Sequence, residues 1–486
     1  MQDLESEIRV GLAWSGIAQA GSQLISLVVT VILMHLLSPQ DFGLAAMVVV
    51  FTGFAMLFTD MGFGAALIQK VDVEQRHKNA VFWVSIAVGV LLTLIFAAAA
   101  PYIASFYGVP ELQSLTIAIS PIFIINSFGT ITQSLVQKAM DFRTLAIAGL
   151  TSSVIPGAAA IYLALSGFGV WSIVALYVLN AIVYVAMVWV LAPWRPDFSL
   201  QLSAVKDLSK FGTNYLGAAI SNYWTLNCDN LLIGRYLGSA PLGIYSRSYA
   251  ILVLPLTQIA SVITFVMFPA LSKIQNDIER VRALYLRSIS VISLVAFPVS
   301  LGLLVLSRPL VLTLFGDTWA GMIPIIQVFS ILSAIQSIGI TGSWLYQSQG
   351  RTDIMFRWGL VVGSIYIISF VVGLRWGALG VAVAYTVANF LLWHPNWSIP
   401  ARLIDLNFAT MLRKLAPQFY AAATMALAVW AFGLLLPNSW SYAAHLTLQV
   451  SFGAAFYFIF VRSFRLEAYA AASSVIQSYL RQLRAY

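Results

Sequence analysis

Residues 80–104 read AVFWVSIAVGVLLTLIFAAAAPYIA, without one charged side chain. At 1.5 Å per residue a helix of this length reaches about 37 Å, enough to cross the ~30 Å hydrocarbon core of a bilayer. A transmembrane β-strand needs only about 9–11 residues in strict alternation, and this run is longer and does not alternate. The segment therefore reads as a membrane-spanning helix, and the rest of the chain repeats it. Comparable apolar runs fall at approximately 10–37, 43–68, 112–136, 144–166, 169–192, 211–236, 241–269, 284–306, 321–346, 355–374, 378–398, 416–436 and 442–461. Helix-stopping residues stand between them: Ser38-Pro39, Gly108-Val109-Pro110, Pro193 with Pro196, and Pro437-Asn438. The pattern predicts an all-α polytopic membrane protein with about fourteen transmembrane helices.

Composition agrees. Of 486 residues, 60% are hydrophobic and 9% charged, against roughly 45–50% and 25% in soluble domains, so a water-exposed surface for the whole chain is excluded. Cys228 is the only cysteine, and the four histidines (His35, His77, His394, His445) are scattered, which excludes an internal disulfide and multi-cysteine metal chemistry. Asp3, Glu5 and Glu7 occupy the place of a basic signal-peptide start, so the first apolar run is expected to be retained as a span. The net charge of +8 reflects topology rather than nucleic-acid binding. With the N-terminus inside, 22 of the 26 Lys and Arg fall in inner loops and tails. Only Arg235, Arg308 and Arg375 lie outside, and Arg247 falls within a span. Positive charge stays on the cytoplasmic side, so both termini are expected in the cytoplasm of a cell whose inner membrane holds the protein.

The long inner link at about 193–210 divides the chain into an N-lobe of six helices (1–198) and a C-lobe of six (199–400). Helices thirteen and fourteen (401–462) follow, then a tail (463–486). The tail repeats Leu466, Tyr469, Ile476, Leu480 and Leu483 with Arg481 and Arg484. That is the pattern of a helix lying on the inner leaflet or of a solvated tail helix. The lobes repeat weakly at an offset near 200: Leu36-Leu37-Ser38-Pro39 to Gly43 against Leu237-Gly238-Ser239-Ala240-Pro241-Leu242-Gly243. Parallel repeats recur in transporters that alternate access around a central site.

Polar stripes single out the same two helices of each lobe. Helix one carries Ser15, Gln19, Ser22, Gln23, Ser26 and Thr30, and helix four Asn126, Thr130, Gln133 and Gln137. Helix seven carries Asn214, Ser221, Asn222, Thr225 and Cys228 to Asn230, and helix ten Gln327, Ser330, Ser333, Ser337 and Thr341. Such faces line a wet cleft or serve as helix-packing contacts; the repeated amides point to the cleft. Three ionisable residues, Asp60, Asp229 and Arg247, lie inside spans, where a charge costs on the order of 2.5–3.5 kcal/mol and needs a partner or water. Asp60 suits a structural cap or an ion-coupling role. Asp229 and Arg247 lie at similar depths on antiparallel helices, which suits a structural pair, a substrate-binding role for Arg247, or ion coupling through Asp229. There is no phosphate-cradling Walker motif, no cluster of histidine with carboxylates and no sizeable outer loop, so catalysis is not expected and transport is.

Seven stretches carry a family resemblance. They are Ser38-Pro39-Gln40-Asp41-Phe42-Gly43, Asp60-Met61-Gly62-Phe63-Gly64-Ala65-Ala66-Leu67-Ile68-Gln69, Gly167-Phe168-Gly169-Val170-Trp171, and Asp229-Asn230-Leu231-Leu232-Ile233-Gly234-Arg235. Gly243-Ile244-Tyr245-Ser246-Arg247, Phe268 to Gln275, and Gly350-Arg351-Thr352-Asp353 complete them. In that order they resemble the polysaccharide transporter (Wzx, WzxC-like) family of the multidrug/oligosaccharidyl-lipid/polysaccharide exporter superfamily, over the chain to about residue 360.

The resemblance implies two six-helix bundles in a V. It implies a cargo of undecaprenyl-pyrophosphate-linked glycan, moved from the inner to the outer leaflet for O-antigen, capsule or exopolysaccharide assembly. It also implies contact with membrane lipid, a polysaccharide polymerase and a chain-length regulator as partners, and no cofactor beyond coupling to an H+ or Na+ gradient. Relatives that flip peptidoglycan precursor carry several intramembrane arginines; here Arg247 is the only clear one. A cation-coupled small-molecule antiporter of the same superfamily and a non-transporting scaffold of the assembly machinery are the alternatives. In the transporter reading the outer gate bends near Gly43, Pro241 and Gly243, and helices one and seven close on each other near Thr30 and Leu232.

Overall fold

The computed structural model describes the backbone of residues 2–60, 62–69, 73–198, 202–437, 439–464 and 466–469. The side chains of 2–15, 17–18, 202–215 and 252–266, and those of Asp60, Ala65, Gln69, Ala218 and Ser221, lie outside the described residues. Among the described residues there are helices and turns and no strands. The α-helices are α1 (Gln2–Leu36), α2 (Pro39–Asp60), α3 (Phe63–Gln69), α4 (Gln75–Tyr107), α5 (Glu111–Ile119), α6 (Ile122–Lys138), α7 (Phe142–Leu165), α8 (Trp171–Leu191) and α9 (Leu202–Leu237). They continue as α10 (Ser239–Lys273), α11 (Ile278–Leu314), α12 (Met322–Gly339), α13 (Gly342–Ser348), α14 (Thr352–Gly373), α15 (Gly377–Ala401), α16 (Phe408–Leu435) and α17 (Tyr442–Ser463).

Each of the fourteen apolar runs is helical. Three of them are broken, into α2 and α3, α5 and α6, and α12 and α13. Eleven stretches among the described residues are long and apolar enough to cross a membrane; one of them, Thr352–Ile404, contains both α14 and α15.

Local chemistry sets the boundaries. Ser38 and Asp41 cap α2 reciprocally: the Ser38 N–H and hydroxyl donate to Asp41 Oδ2 at 2.9 and 2.6 Å, and the Asp41 N–H donates to Ser38 Oγ at 3.3 Å. Gly108, at φ 70°, ends α4 in the left-handed conformation, and Pro110, whose fixed φ of −59° is already helical, opens α5. Asp141, Asp277 and Ser441 cap α7, α11 and α17 through backbone N–H groups. Where Pro121 interrupts the fourth run, its missing N–H leaves the Ile117 carbonyl without a helical donor, and the Ser120 hydroxyl donates to it at 2.8 Å. No water in the hydrocarbon would otherwise satisfy that carbonyl.

The chain divides into two compact units, Met1–Gly243 and Ile244–Tyr486. In the first, α1 packs on α7, α7 on α8, α6 on both α4 and α8, and α9 on α2, α3 and α4. Contact thus groups α9, the seventh helix, with the first six. In the second, α11 packs on α12, α12 on α15 and α15 on α14, with α16 and α17 laid against α11. Helices three to six and nine to twelve are therefore paired in the same order (third with fourth, fourth with sixth, fifth with sixth), as a parallel repeat requires.

Lipid is as apolar as leucine, so these helices associate by close packing of small residues rather than by burial from water. Val29 of α1 fills the space a side chain at Gly157 of α7 would take, and Val185 of α8 that at Gly129 of α6. In the second unit Leu271, Tyr285, Ile289, Trp344, Ile404 and Met411 are all nearly inaccessible and form one core. The start of the tail folds back on it: Ala468 packs with Leu294, Ala421 and Val461, and Lys414 pairs with Glu467. The basic face at Arg481 and Arg484 lies outside the described residues.

Candidate functional site

The polar stripes separate by chemistry. A serine or threonine hydroxyl can donate to the carbonyl three or four residues back on its own helix, and most do. Ser330 donates to Ile326 O at 2.7 Å, Ser337 to Ala334 O at 2.9 Å and Thr130 to Asn126 O at 3.2 Å. Ser300 of α11 donates to Ser333 Oγ, and Thr341 pairs with the Tyr285 hydroxyl, each at 2.9 Å. Ser330, Ser333, Ser337 and Thr341 are all buried. On α12, then, the serines make helix packing. Ser337, expected to line a wet cleft, instead sits inside the helix bundle with its hydroxyl satisfied.

The amides behave differently, because a side-chain amide has more donor and acceptor capacity than its own helix can satisfy. Gln19 and Ser26 on α1, Gln133 on α6, Asn222 on α9 and Gln327 on α12 are exposed, and Gln23 is half-buried. Asn126 is also half-buried; its Nδ2 donates to Ile122 O at 2.9 Å and lies 3.9 Å from the Met56 sulfur of α2. The side chains of Ser15, Asn214 and Ser221 lie outside the described residues.

Of the three intramembrane charges, Asp60 closes α2 and its side chain is outside the described residues. Asp229 on α9 is buried in the first unit, with Oδ1 accepting from the Asn230 N–H at 2.8 Å. Arg247 belongs to the second unit. Tyr245 and Tyr249, one helical turn apart, pack edge-on against Phe329 of α12 at 5.4 and 5.5 Å. Arg247 is about 200° around α10 from Tyr245, so it is carried on the face turned away from α12, half-buried.

In the first unit the seventh helix has a close neighbour of its own. α9 lies along α2. The Tyr223 hydroxyl donates to Val50 O at 2.6 Å in space left by Gly53, and Phe54 meets Tyr223 and Trp224 at 5.9 and 4.9 Å. Nearer the 38–43 turn, Tyr107 of α4 donates to Met47 O at 3.4 Å and packs on Gly234. α1 takes its large contact from α7. The deciding residues are glycines, because α2 offers backbone at Gly43 and Gly53 where α9 and the start of α10 need to come close. A Cβ on Gly43 would stand 1.8 Å from Ser239 O, and one on Gly243 would stand 1.9 Å from Pro39 O. Each glycine meets the other repeat's counterpart of its own neighbour, so the two turns touch reciprocally.

Two polar clusters escaped the sequence reading. Between α12, α14 and α15, Gln336 donates to Tyr385 Oη at 3.0 Å and to Asn389 Oδ1 at 3.4 Å, and Tyr366 donates to the same oxygen at 2.8 Å. Asn389 inside the apolar run 378–398 was the available signal. The second cluster binds the inner link to α4. Trp194 Nε1 donates to Gln75 Oε1, Gln75 Nε2 to Asp197 Oδ2 and the Asp197 N–H to Asn79 Oδ1, each at 3.2 Å. Phe198 stacks on Trp83 at 5.3 Å. Only Trp194 and Phe198, apolar groups in a polar link, hinted at it. Among the described residues no three His, Cys, Asp or Glu side chains group to hold a metal ion.

Residues 32–324 match the family described as "Polysaccharide biosynthesis protein". The teichuronic acid biosynthesis protein TuaB of Bacillus subtilis is 30% identical over 93% of this chain and 94% of its own. The lipopolysaccharide biosynthesis protein WzxC of Escherichia coli is 24% identical over 88% and 87%. The succinoglycan biosynthesis transport protein ExoT of Rhizobium meliloti is 28% identical over 72% and 71%. Among solved structures, the lipid II flippase MurJ in an inward closed conformation superposes with a TM-score of 0.74 at 16% identity, over 93% of this chain and 98% of that one. An inward-facing multidrug resistance MATE transporter superposes at 0.62 and 16% identity, over 81% and 96%. The fold is that of MurJ and MATE, and the chain belongs to the polysaccharide biosynthesis protein family as a multi-pass membrane transporter.

Proposed function

We propose that the protein flips an undecaprenyl-pyrophosphate-linked oligosaccharide from the inner to the outer leaflet of the bacterial cytoplasmic membrane, supplying surface polysaccharide assembly by alternating access. The observation that carries this reading is the family match over residues 32–324, with similar proteins that serve three different glycans, on the fold of a lipid-linked precursor flippase. Shared machinery across unlike sugars is what recognition of the common lipid pyrophosphate would produce. The physics is compatible. A sugar head needs hydrogen-bonding groups that tolerate many stereochemistries, and the exposed amides Gln19, Gln133, Asn222 and Gln327 supply them without charge. Arg247 is the cation we assign to the pyrophosphate, because its planar fork suits bidentate phosphate contact. Asp229 or Asp60 would couple the cycle to an H+ or Na+ gradient. A polymerase and a chain-length regulator are the expected partners on the outer side, and both termini are cytoplasmic in this scheme.

The test is genetic. A strain lacking a flippase of known glycan, supplied with this chain, should recover surface polysaccharide. Membrane-inserted protein that restores no glycan in any of several such strains, together with extrusion of cationic dyes, would instead establish the small-molecule antiporter.

A further inference from the structure

Helices α14 and α15 form a hairpin closed by the 3-10 turn Leu374–Trp376. At the turn they touch: a Cβ on Gly373 would lie 2.6 Å from Gly380 O, and one on Gly380 would lie 2.4 Å from Gly373 O. Away from the turn they leave a groove of about 570 Å³ along the hairpin. Ile368 and Val372 of α14 line it, with Val383, Val387 and Leu391 of α15, and Trp376 stands at its mouth. All six are exposed among the described residues.

Length and charge select an occupant. From Leu379 to Leu391 the lined stretch rises about 18 Å at 1.5 Å per residue. That is slightly more than half of a ~30 Å hydrocarbon core, so the groove runs through one leaflet. A partner's transmembrane helix would need the full thickness, and a long polyprenyl chain exceeds the groove. One acyl chain fills one leaflet. Arg375, the residue before Trp376 in the closing turn, is exposed, and a cation next to an amphipathic ring is the pairing found at the headgroup level. No Asp or Glu occurs between Asp353 and Asp405, so the hairpin carries no carboxylate to oppose an anion there. We propose that this groove is a binding site for an anionic phospholipid, with its phosphate at Arg375 and one acyl chain between α14 and α15. The leaflet is the one that faces the 374–376 turn, the outer leaflet when both termini are inside. The site is independent of the cargo.

The full-length protein, purified in a neutral detergent, is given phosphatidylglycerol or phosphatidylethanolamine of equal chain length, and retained lipid is counted by native mass spectrometry. The wild type should retain phosphatidylglycerol at least fivefold better. Arg375→Gln should erase that preference while Arg375→Lys keeps it, since a lysine still supplies the charge. Val383→Trp, which fills the groove, should remove retention of both lipids, and Gly359→Ala, at a position with no neighbour within 4 Å, should change nothing. Thermal unfolding of each variant separates lipid loss from misfolding, and Val387→Trp replaces Val383→Trp if the latter unfolds. Equal retention of the two lipids by the wild type overturns the headgroup assignment. Retention unaffected by either tryptophan overturns the groove. Displacement of phosphatidylglycerol by equimolar undecaprenyl phosphate overturns the occupant in favour of the polyprenyl chain.

Discussion

Gly43→Ala places one methyl group where the structure has no room for it. The new Cβ would stand 1.8 Å from Ser239 O and 2.4 Å from the carbonyl carbon behind it. Both are backbone atoms, so no rotamer change relieves the clash. Ordinary contact begins at 3.4 Å, and the two turns must therefore part by about 1.6 Å. Overpacking of this kind costs typically 1–3 kcal/mol. If the turns also separate during the transport cycle, the substitution is relieved by opening rather than by local unfolding. A bias of about 2 kcal/mol is then roughly a 30-fold shift toward the open contact. Gly243→Ala, which meets Pro39 O at 1.9 Å, should act alike. The double variant should add less than the sum, because both methyls strain one contact.

The assay places a cysteine at Leu242, fully buried beside Gly234, in a Cys228→Ser background. It follows the rate of modification by an impermeant thiol reagent from outside. Gly43→Ala should raise that rate roughly ten- to thirtyfold and slow glycan export; Gly359→Ala should do neither. Modification rates within a factor of two, with export intact, would refute the idea that this contact closes the outer side.

The remaining predictions test orientation, charge and pairing. A cysteine at the exposed Ser105 should react with the same reagent from outside and one at Asn276 should not; labelling of Asn276 would overturn the orientation. Arg247→Ala should abolish export with the protein still in the membrane, and Arg247→Lys should retain part of it; rescue of Arg247→Ala by Asp229→Asn would make the charges structural and remove the ligand role. Cysteines at Phe54 and Trp224, whose rings stand 4.9 Å apart, should be joined by a short, reducible bifunctional thiol reagent and stop export until it is reduced, whereas a scaffold would keep its function with the bridge formed. Asn389→Leu removes the acceptor shared by Gln336 and Tyr366 and should cost about 1–3 kcal/mol of stability, read as a lowered unfolding temperature in detergent with the wild-type lipid present.

Helix positions were legible from the sequence because the signals are local. An uncharged run longer than the bilayer core must satisfy its own backbone, which leaves the helix. Ser38-Pro39, Gly108-Val109-Pro110 and Pro193 stop it through backbone geometry that no distant residue can alter. The matching turns at Ser38–Gly43 and Gly238–Gly243 were visible for the same reason, and with them the repeat. What each helix faces was not legible. Ser337 and Gln133 both read as stripe positions, yet one is buried and the other exposed, because a serine hydroxyl can be satisfied on its own helix whereas an amide has donor and acceptor capacity left over. That α9 lies along α2 was not legible either, since close approach goes to the helix whose glycines leave backbone accessible, a matter of three-dimensional registry. The Gln336–Asn389 network, the docking of Trp194 and Asp197 on α4, and the groove beside Trp376 likewise depend on how each helix is rotated about its axis. In a bilayer, where hydrophobicity does not discriminate one apolar face from another, that rotation is decided only by packing.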